Sequence, residues 1–195
     1  LKAAHSHRHS NFNLNVKQIY KLNRNGEEEK FRKHDCLRNH TLLWHGSRLS
    51  NWVGILSQGL RIAPPEAPHS GYKFGKGVYH ANMASMSAEY CFPESFDNQL
   101  LLLVSEVALG EQYIQETPKY LTKEDINIFG KHSVLALGQY SLDSSGDTYE
   151  SGSSTSAVVP LGKETHTGYH ECPQDHPEFV VYDTTQVKMR YLLHL

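Results

Sequence analysis

Apolar and polar positions divide the chain into short stretches of differing period. LNVKQIYK (14–21) mixes aliphatic and aromatic residues in partial alternation and predicts a strand. RNGEEEKFRK (24–33) is polar apart from one Phe and predicts a turn or loop. TLLWHGS (41–47) is a short apolar run with a glycine near its end, the pattern of a buried strand. In RLSNWVGILSQGL, Leu49, Trp52, Val53, Leu56 and Leu60 fall at helical spacing, and Gly59 is a stop signal. The proline- and glycine-rich stretch 61–77 predicts a loop. LLLLVSEVALG (100–110) is almost continuously apolar and predicts a central strand buried on both faces. The pattern weakens from about 111 to 175, where DSSGDTYESGSSTS (143–156) predicts a solvated loop. EFVVYDTTQVKMRYLLHL (178–195) predicts two strands around an Asp-Thr-Thr turn. Together these make an α+β chain, with short helices against a mixed or antiparallel sheet.

Composition narrows the class. The 195 residues suit one domain of about 100–200 residues. A net charge of −2 excludes a broadly basic surface for nucleic acid. The longest apolar run is too short to span a bilayer, and residues 1–15 lack the apolar centre of a secretory signal. Cys36, Cys91 and Cys172 are scattered without a CxxC pair, which fits a reduced intracellular compartment. HSHRHS (5–10) sets three imidazoles two apart, where they could share a strand face toward a metal. No second ligand cluster accompanies them, so the segment is expected to be a solvated terminus and no metal is expected. Gly71, Gly75 and Gly77 satisfy neither the P-loop spacing nor GxGxxG opening a helix.

GKGVYHANMASMSAEYC (75–91) poses the sharpest question. It sets Tyr79 and Tyr90 among unusually small residues, where a packed core favours Leu or Ile. A slot that receives a flat molecule between rings has this composition, and so does a tight helix–sheet contact. If 83–91 is helical, Met83, Ser87 and Tyr90 share one face, and Asn82 is a sound N-cap.

Three stretches together, LLWHGSRLSNWVGILSQGLRIAPPEAP, GYKFGKGVYHANMASMSAEYC and EFVVYDTTQVKMRYLL, resemble the catalytic domain of the poly(ADP-ribose) polymerases. The likeness is greatest to the DNA-damage-responsive branch and runs from about Asn11 onward. It implies the ADP-ribosyltransferase fold, a split β-structure with NAD+ across the gap. It also implies transfer of ADP-ribose from NAD+, as substrate, to protein acceptors, the enzyme itself among them, with elongation into polymer. Mono-transfer and a non-catalytic NAD+ or ADP-ribose binding module are the alternative readings. By this resemblance His45, Tyr79 and Glu178 form the catalytic set. Glu178 would bond the nicotinamide-ribose hydroxyl and stabilise positive charge developing on the sugar. The nicotinamide ring would lie between Tyr79 and Tyr90, with its carboxamide on Ser87 and on the backbone of Gly46. Gly46 is expected to be glycine so that the ligand can approach the backbone. Ser47 would hold a ribose hydroxyl, Asn51 and Arg61 would line the adenine side, and Tyr72 and Gly77 would face the ligand from the loop.

This chain also departs from the family's pattern. His80-Ala81-Asn82 stands where Phe-Ala-Asp is usual, and Met86 stands where relatives commonly carry Lys. Losing that ammonium removes a charge partner expected for Glu178. Residues 1–195 are expected to be one catalytic domain, without the autoinhibitory helical and DNA-binding domains of DNA-damage-responsive relatives. The resemblance implies a nuclear or cytoplasmic protein that binds neither nucleic acid through this domain nor a membrane.

Overall fold

The almost unbroken apolar run after position 100 becomes an interior strand of the main sheet. In the computed structural model this run is strand β4 (Leu101–Ala108), with Leu102 and Leu103 fully buried. The described residues are 5, 6, 8, 13–64, 66, 67, 71–92, 99–150 and 156–195. His7, His9, parts of the 61–77 loop and residues 151–155 of the predicted solvated loop lie outside them.

On one side, β4 pairs with β12 (Val187–His194), which carries the edge strand β1 (Gln18–Lys21). On the other side it pairs with β2 (His40–Gly46) along the whole length of that strand. The sheet continues through β3 (Val78–Ala81), β11 (Glu178–Val181), β6 (Ser133–Ala136) and β5 (Gln112–Gln115). Most of the pairs are antiparallel, but β5–β6 is parallel. A short strand β9 (Val158–Val159) adds to β2 in parallel and carries β8 (Thr148–Tyr149). Two further strands, β7 (Tyr140–Leu142) and β10 (Glu164–His166), form a small sheet of their own. The mixed, mainly antiparallel sheet agrees with the α+β reading.

One seam in this sheet matters most. β2 and β3 pair only at Trp44 and Ala81, whereas their outer neighbours are paired along their lengths. The split that the resemblance implies is this seam, and the site lies along it.

Among the described residues, four short α-helices dress the sheet: α1 (Glu27–Phe31), α2 (Trp52–Gln58), α3 (Ala84–Glu89) and α4 (Lys123–Ile128). The first corrects the loop expected over 24–33. Three glutamates in its opening turn suit the positive end of the helix dipole, and Phe31 is buried at its far end. Docking of one aromatic thus outweighs a polar local pattern. The strand expected over 14–21 shortens to its last four residues. Asn82 does not cap α3: Met83 holds the N-cap position without a side-chain bond, and Asn82 donates instead to Ser141 Oγ at 3.3 Å. The terminal segment also differs from a solvated one at Ser6, which is fully buried. Its N–H donates to Ser85 Oγ at 2.9 Å and its hydroxyl donates to Glu164 at 2.6 Å.

The small residues of α3 serve both purposes open in the sequence. Ala84 and Ala88 have no exposed surface and pack with Cys91, Leu100 and Leu102, which brings the helix close against the sheet. Ser87, one residue before Ala88, faces the cavity described next.

Candidate active site

His45 and Gly46 end β2 just past its one pair with β3, so His45 faces the seam from one side and Tyr79 from the other. The Nδ1–H of His45 donates to the Tyr79 carbonyl at 2.8 Å, a tautomer assigned from this bond. Burial pushes the imidazole below its usual pKa range against that bond, so it is neutral at pH 7. Nε2 therefore carries a lone pair that can accept from a hydroxyl.

Tyr79 offers a ring, because its hydroxyl is already committed. That hydroxyl donates to the Gly75 carbonyl at 2.7 Å and accepts from the Phe74 N–H at 3.1 Å. Burial raises its pKa far above the ordinary tyrosine value, which removes it as a proton carrier near neutral pH. Gly75 is glycine for its own reason. At φ 97° it occupies the left-handed region, and a Cβ there would meet the Leu121 carbonyl oxygen at 1.8 Å.

Glu178 opens β11, paired with Ala81 on one side and Ala136 on the other. It is buried at 7% exposure, and Oε1 accepts from the Tyr90 hydroxyl at 3.2 Å. Burial raises the carboxyl above its usual pKa, opposed by the Tyr90 bond and by the charge of Lys73. Partial burial of its hydroxyl end, with the Glu178 carboxylate beside it, raises the Tyr90 phenol to about 12. Tyr90 itself is 53% exposed, since it follows the end of α3 and leaves the buried face carrying Met83 and Ser87.

These groups share one slot of about 70 Å³, lined by His45, Gly46, Tyr79, Ser87, Tyr90 and Glu178. His80, Ala81 and Met86 complete its wall. A wider cleft of about 590 Å³ adjoins it, with His45 and Tyr79 common to both. Ser47, Asn51, Arg61, Tyr72 and Gly77 line this cleft, where Asn51 Nδ2 donates to Ser47 Oγ at 3.0 Å. Every residue that the sequence nominated thus borders one of the two spaces.

Two details were not legible beforehand. A Cβ on Gly46 would sit 1.7 Å from the Ser87 carbonyl oxygen, so close packing of α3 demands glycine there whether or not a ligand is bound. Met86, in place of the family's lysine, packs at 8% exposure with Ala81, Met83 and Leu142, while Lys73 supplies the positive charge acting on Glu178. Lys73 precedes the seam in a loop without periodicity, and no sequence signal marked it. The cleft wall also takes Ser50, Gly54, Ile55 and Gln58 from around α2, a face that the spacing of its apolar residues does not mark. Among the described residues, no group of three or more His, Cys, Asp or Glu is placed to hold a metal ion.

A mixed sheet opened along one seam, with an aromatic slot and a buried carboxylate at the opening, is the ADP-ribosyltransferase fold. The family model described as "Poly(ADP-ribose) polymerase catalytic domain" matches residues 1–195. The chain is 44% identical over 195 residues to poly [ADP-ribose] polymerase 1 of Gallus gallus, covering all of this chain and 19% of that protein. It is 45% identical over 198 residues to poly [ADP-ribose] polymerase 2 of Homo sapiens, covering 99% of this chain and 32% of that protein. The chain belongs to the poly(ADP-ribose) polymerase catalytic-domain family, and it spans between about a fifth and a third of the length of these relatives.

Proposed function

We propose that this chain is a single catalytic domain that transfers ADP-ribose from NAD+ to protein acceptors, releasing nicotinamide and elongating the product into polymer. The observation that carries this reading is the junction of slot and cleft. A neutral His45 with a free acceptor nitrogen stands where the two spaces meet, and Glu178 lies in the slot beside Tyr90. A dinucleotide with a flat ring at one end suits a small aromatic slot leading into a larger polar cleft.

In this reading the nicotinamide ring lies against Tyr79 and Tyr90, with its carboxamide on Ser87 and Gly46. His45 Nε2 accepts from a hydroxyl of the adenosine-side ribose. Ser47, Asn51, Arg61, Tyr72 and Gly77 border the remainder of the dinucleotide. The bond between nicotinamide and ribose breaks with both electrons leaving on nicotinamide, which departs neutral. Positive charge develops on the sugar, and Glu178, bonded to the ribose hydroxyl, stabilises it in a water-poor site. The acceptor oxygen then attacks that carbon and gives up its proton, with Glu178 as the nearby carboxylate to receive it.

Mono-transfer is the second reading, favoured by Met86, which leaves the slot without the ammonium its relatives carry. The proposed location is the nucleus and the proposed process the response to DNA damage, both through the family. Incubation with labelled NAD+ and separation by gel tests the proposal. A high-molecular-weight smear supports polymer synthesis, whereas a discrete band supports mono-transfer, to be checked by recovery of the smear in Met86→Lys. Glu178→Gln should lose modification steeply while still binding NAD+. Binding of NAD+ without labelled protein in the wild type would overturn the enzyme reading.

A further inference from the structure

The walls of the slot are tied together twice. The direct link, from the Tyr90 hydroxyl to Glu178 at 3.2 Å, is long for a bond between oxygens, which favours about 2.5–3.0 Å. It also starts from a half-exposed side chain just past the end of α3. Ser6 makes the closer connection. Fully buried, it donates its N–H to Ser85 Oγ on α3 at 2.9 Å and its hydroxyl to Glu164 Oε1 at 2.6 Å. The same Glu164 oxygen is bonded to His176 Nε2, whose side chain has no exposed surface. Burial lowers the His176 pKa against that bond, so the ring is neutral at pH 7 and Nε2–H is the donor, a tautomer assigned from the bond itself. Past the buried Pro177 the chain then reaches Glu178. Proline fixes its own φ and confines the residue before it to extended backbone, so few free torsions separate the held imidazole from Glu178. Arg8 secures the segment: its N–H donates to Ser6 Oγ at 3.1 Å, and its guanidinium lies 3.7 Å from the centre of the Tyr140 ring. Glu164 itself pairs with Leu142 in the small sheet, and Leu142 packs on Met86 of the slot wall.

We propose that Ser6 is a positioning residue for ADP-ribosyl transfer: through Glu164 and His176 it holds the lead-in to β11, so that Glu178 keeps its place opposite the ring and ribose. This inference rests on the NAD+ reading of the slot and deepens it. Glu178 acts on charge that develops only as the bond between nicotinamide and ribose breaks. A displaced carboxylate therefore slows turnover and leaves ground-state binding in place. Ser47, Asn51 and Arg61, which border the cleft, follow β2 and lie outside this network.

Ser6→Ala, Glu164→Ala and the double variant test this, with kcat and KM for nicotinamide release from NAD+ measured per NAD+-binding site. Melting temperature is measured alongside. Ser6→Ala keeps the N–H bond to Ser85 and removes the hydroxyl tie to Glu164, so it should melt only about 2–4 °C lower than wild type. Its kcat should nevertheless fall roughly five- to thirtyfold, while KM stays within about twofold. Because Ser6 acts through Glu164, the double variant should turn over no more slowly than Glu164→Ala alone. Unchanged kcat in Ser6→Ala, whatever its melting temperature, would make the residue structural and overturn the proposal. A raised KM with kcat unchanged, or losses that multiply in the double variant, would overturn it as well. If Glu164→Ala does not fold, the split between kcat and KM in Ser6→Ala decides alone. Each of these results leaves the ADP-ribosyltransferase reading standing so long as the wild type transfers ADP-ribose, whereas a wild type that binds NAD+ without reaction removes both.

Discussion

Gly46→Ala separates two reasons for a glycine at the seam. Were the position glycine only to admit a ligand, alanine would leave the free protein intact and weaken binding alone. The packing predicts more. The new methyl carbon would lie 1.7 Å from the Ser87 carbonyl oxygen, 2.7 Å from its carbonyl carbon and 3.1 Å from Cys91 Sγ. Two of these atoms are backbone at the end of α3, so relief requires the helix to move off β2 by more than an ångström. Overpacking of this kind costs about 1–3 kcal/mol, and a backbone clash belongs at the upper end. At about 2–4 °C per kcal/mol for a domain of this size, the melting temperature should fall by roughly 6–12 °C. The same movement carries Ser87 and Tyr90 away from His45, so NAD+ affinity should fall with stability. Calorimetric melting and NAD+ titration of the one variant check both. A melting temperature within a degree of wild type, whatever happens to binding, would refute the packing argument.

Three other outcomes follow from the same geometry. Lys76 Nζ donates to the carbonyls of Pro64 and Ala67 at 2.6 and 2.8 Å and clasps the loop leading to Tyr72. Lys76→Met should raise KM for NAD+ severalfold with little change in kcat, and equal loss in both would assign Lys76 another role. Burial raises the pKa of Glu178 and Lys73 opposes it, so Lys73→Met should raise it further. If catalysis needs the carboxylate, the acid limb of the kcat/KM profile then moves to higher pH; a stationary limb would remove Lys73 from the account. At His40 burial disfavours the charge, but bonds to Glu106 and the His34 carbonyl outweigh it and raise the pKa above 6.5. Its stabilising contribution is therefore complete below pH 6.5 and is lost as pH rises through the raised value. The wild-type melting temperature should fall across that window, and His40→Gln should flatten the fall.

Much of the fold was legible wherever burial left a mark on the chain itself. The continuous apolar run of β4 announced a strand covered on both faces, and the spacing of Leu49, Trp52 and Leu56 announced the turn of helix near α2. Where one tertiary contact outweighed local composition, the reading failed. Phe31 drew a polar, glutamate-rich stretch into α1, and Ser6 was pulled from a terminus full of histidines into a buried network.

The site divides the same way. Sequence alone nominated His45, Tyr79, Tyr90 and Glu178, because long ordered motifs survive in the chain even though these residues lie far apart along it. It could not say why Gly46 is glycine, which nitrogen of His45 is free, or which cation acts on Glu178. Those answers depend on approach distances between segments far apart along the chain, Gly46 with Ser87, His45 with Tyr79 and Lys73 with Glu178, and packing sets such distances only after the whole sheet has formed. The residue types available to the chemistry are a property of the chain. The protonation of His45 and Glu178 and the placement of α3 come from burial and neighbours, and only the tertiary structure supplies those.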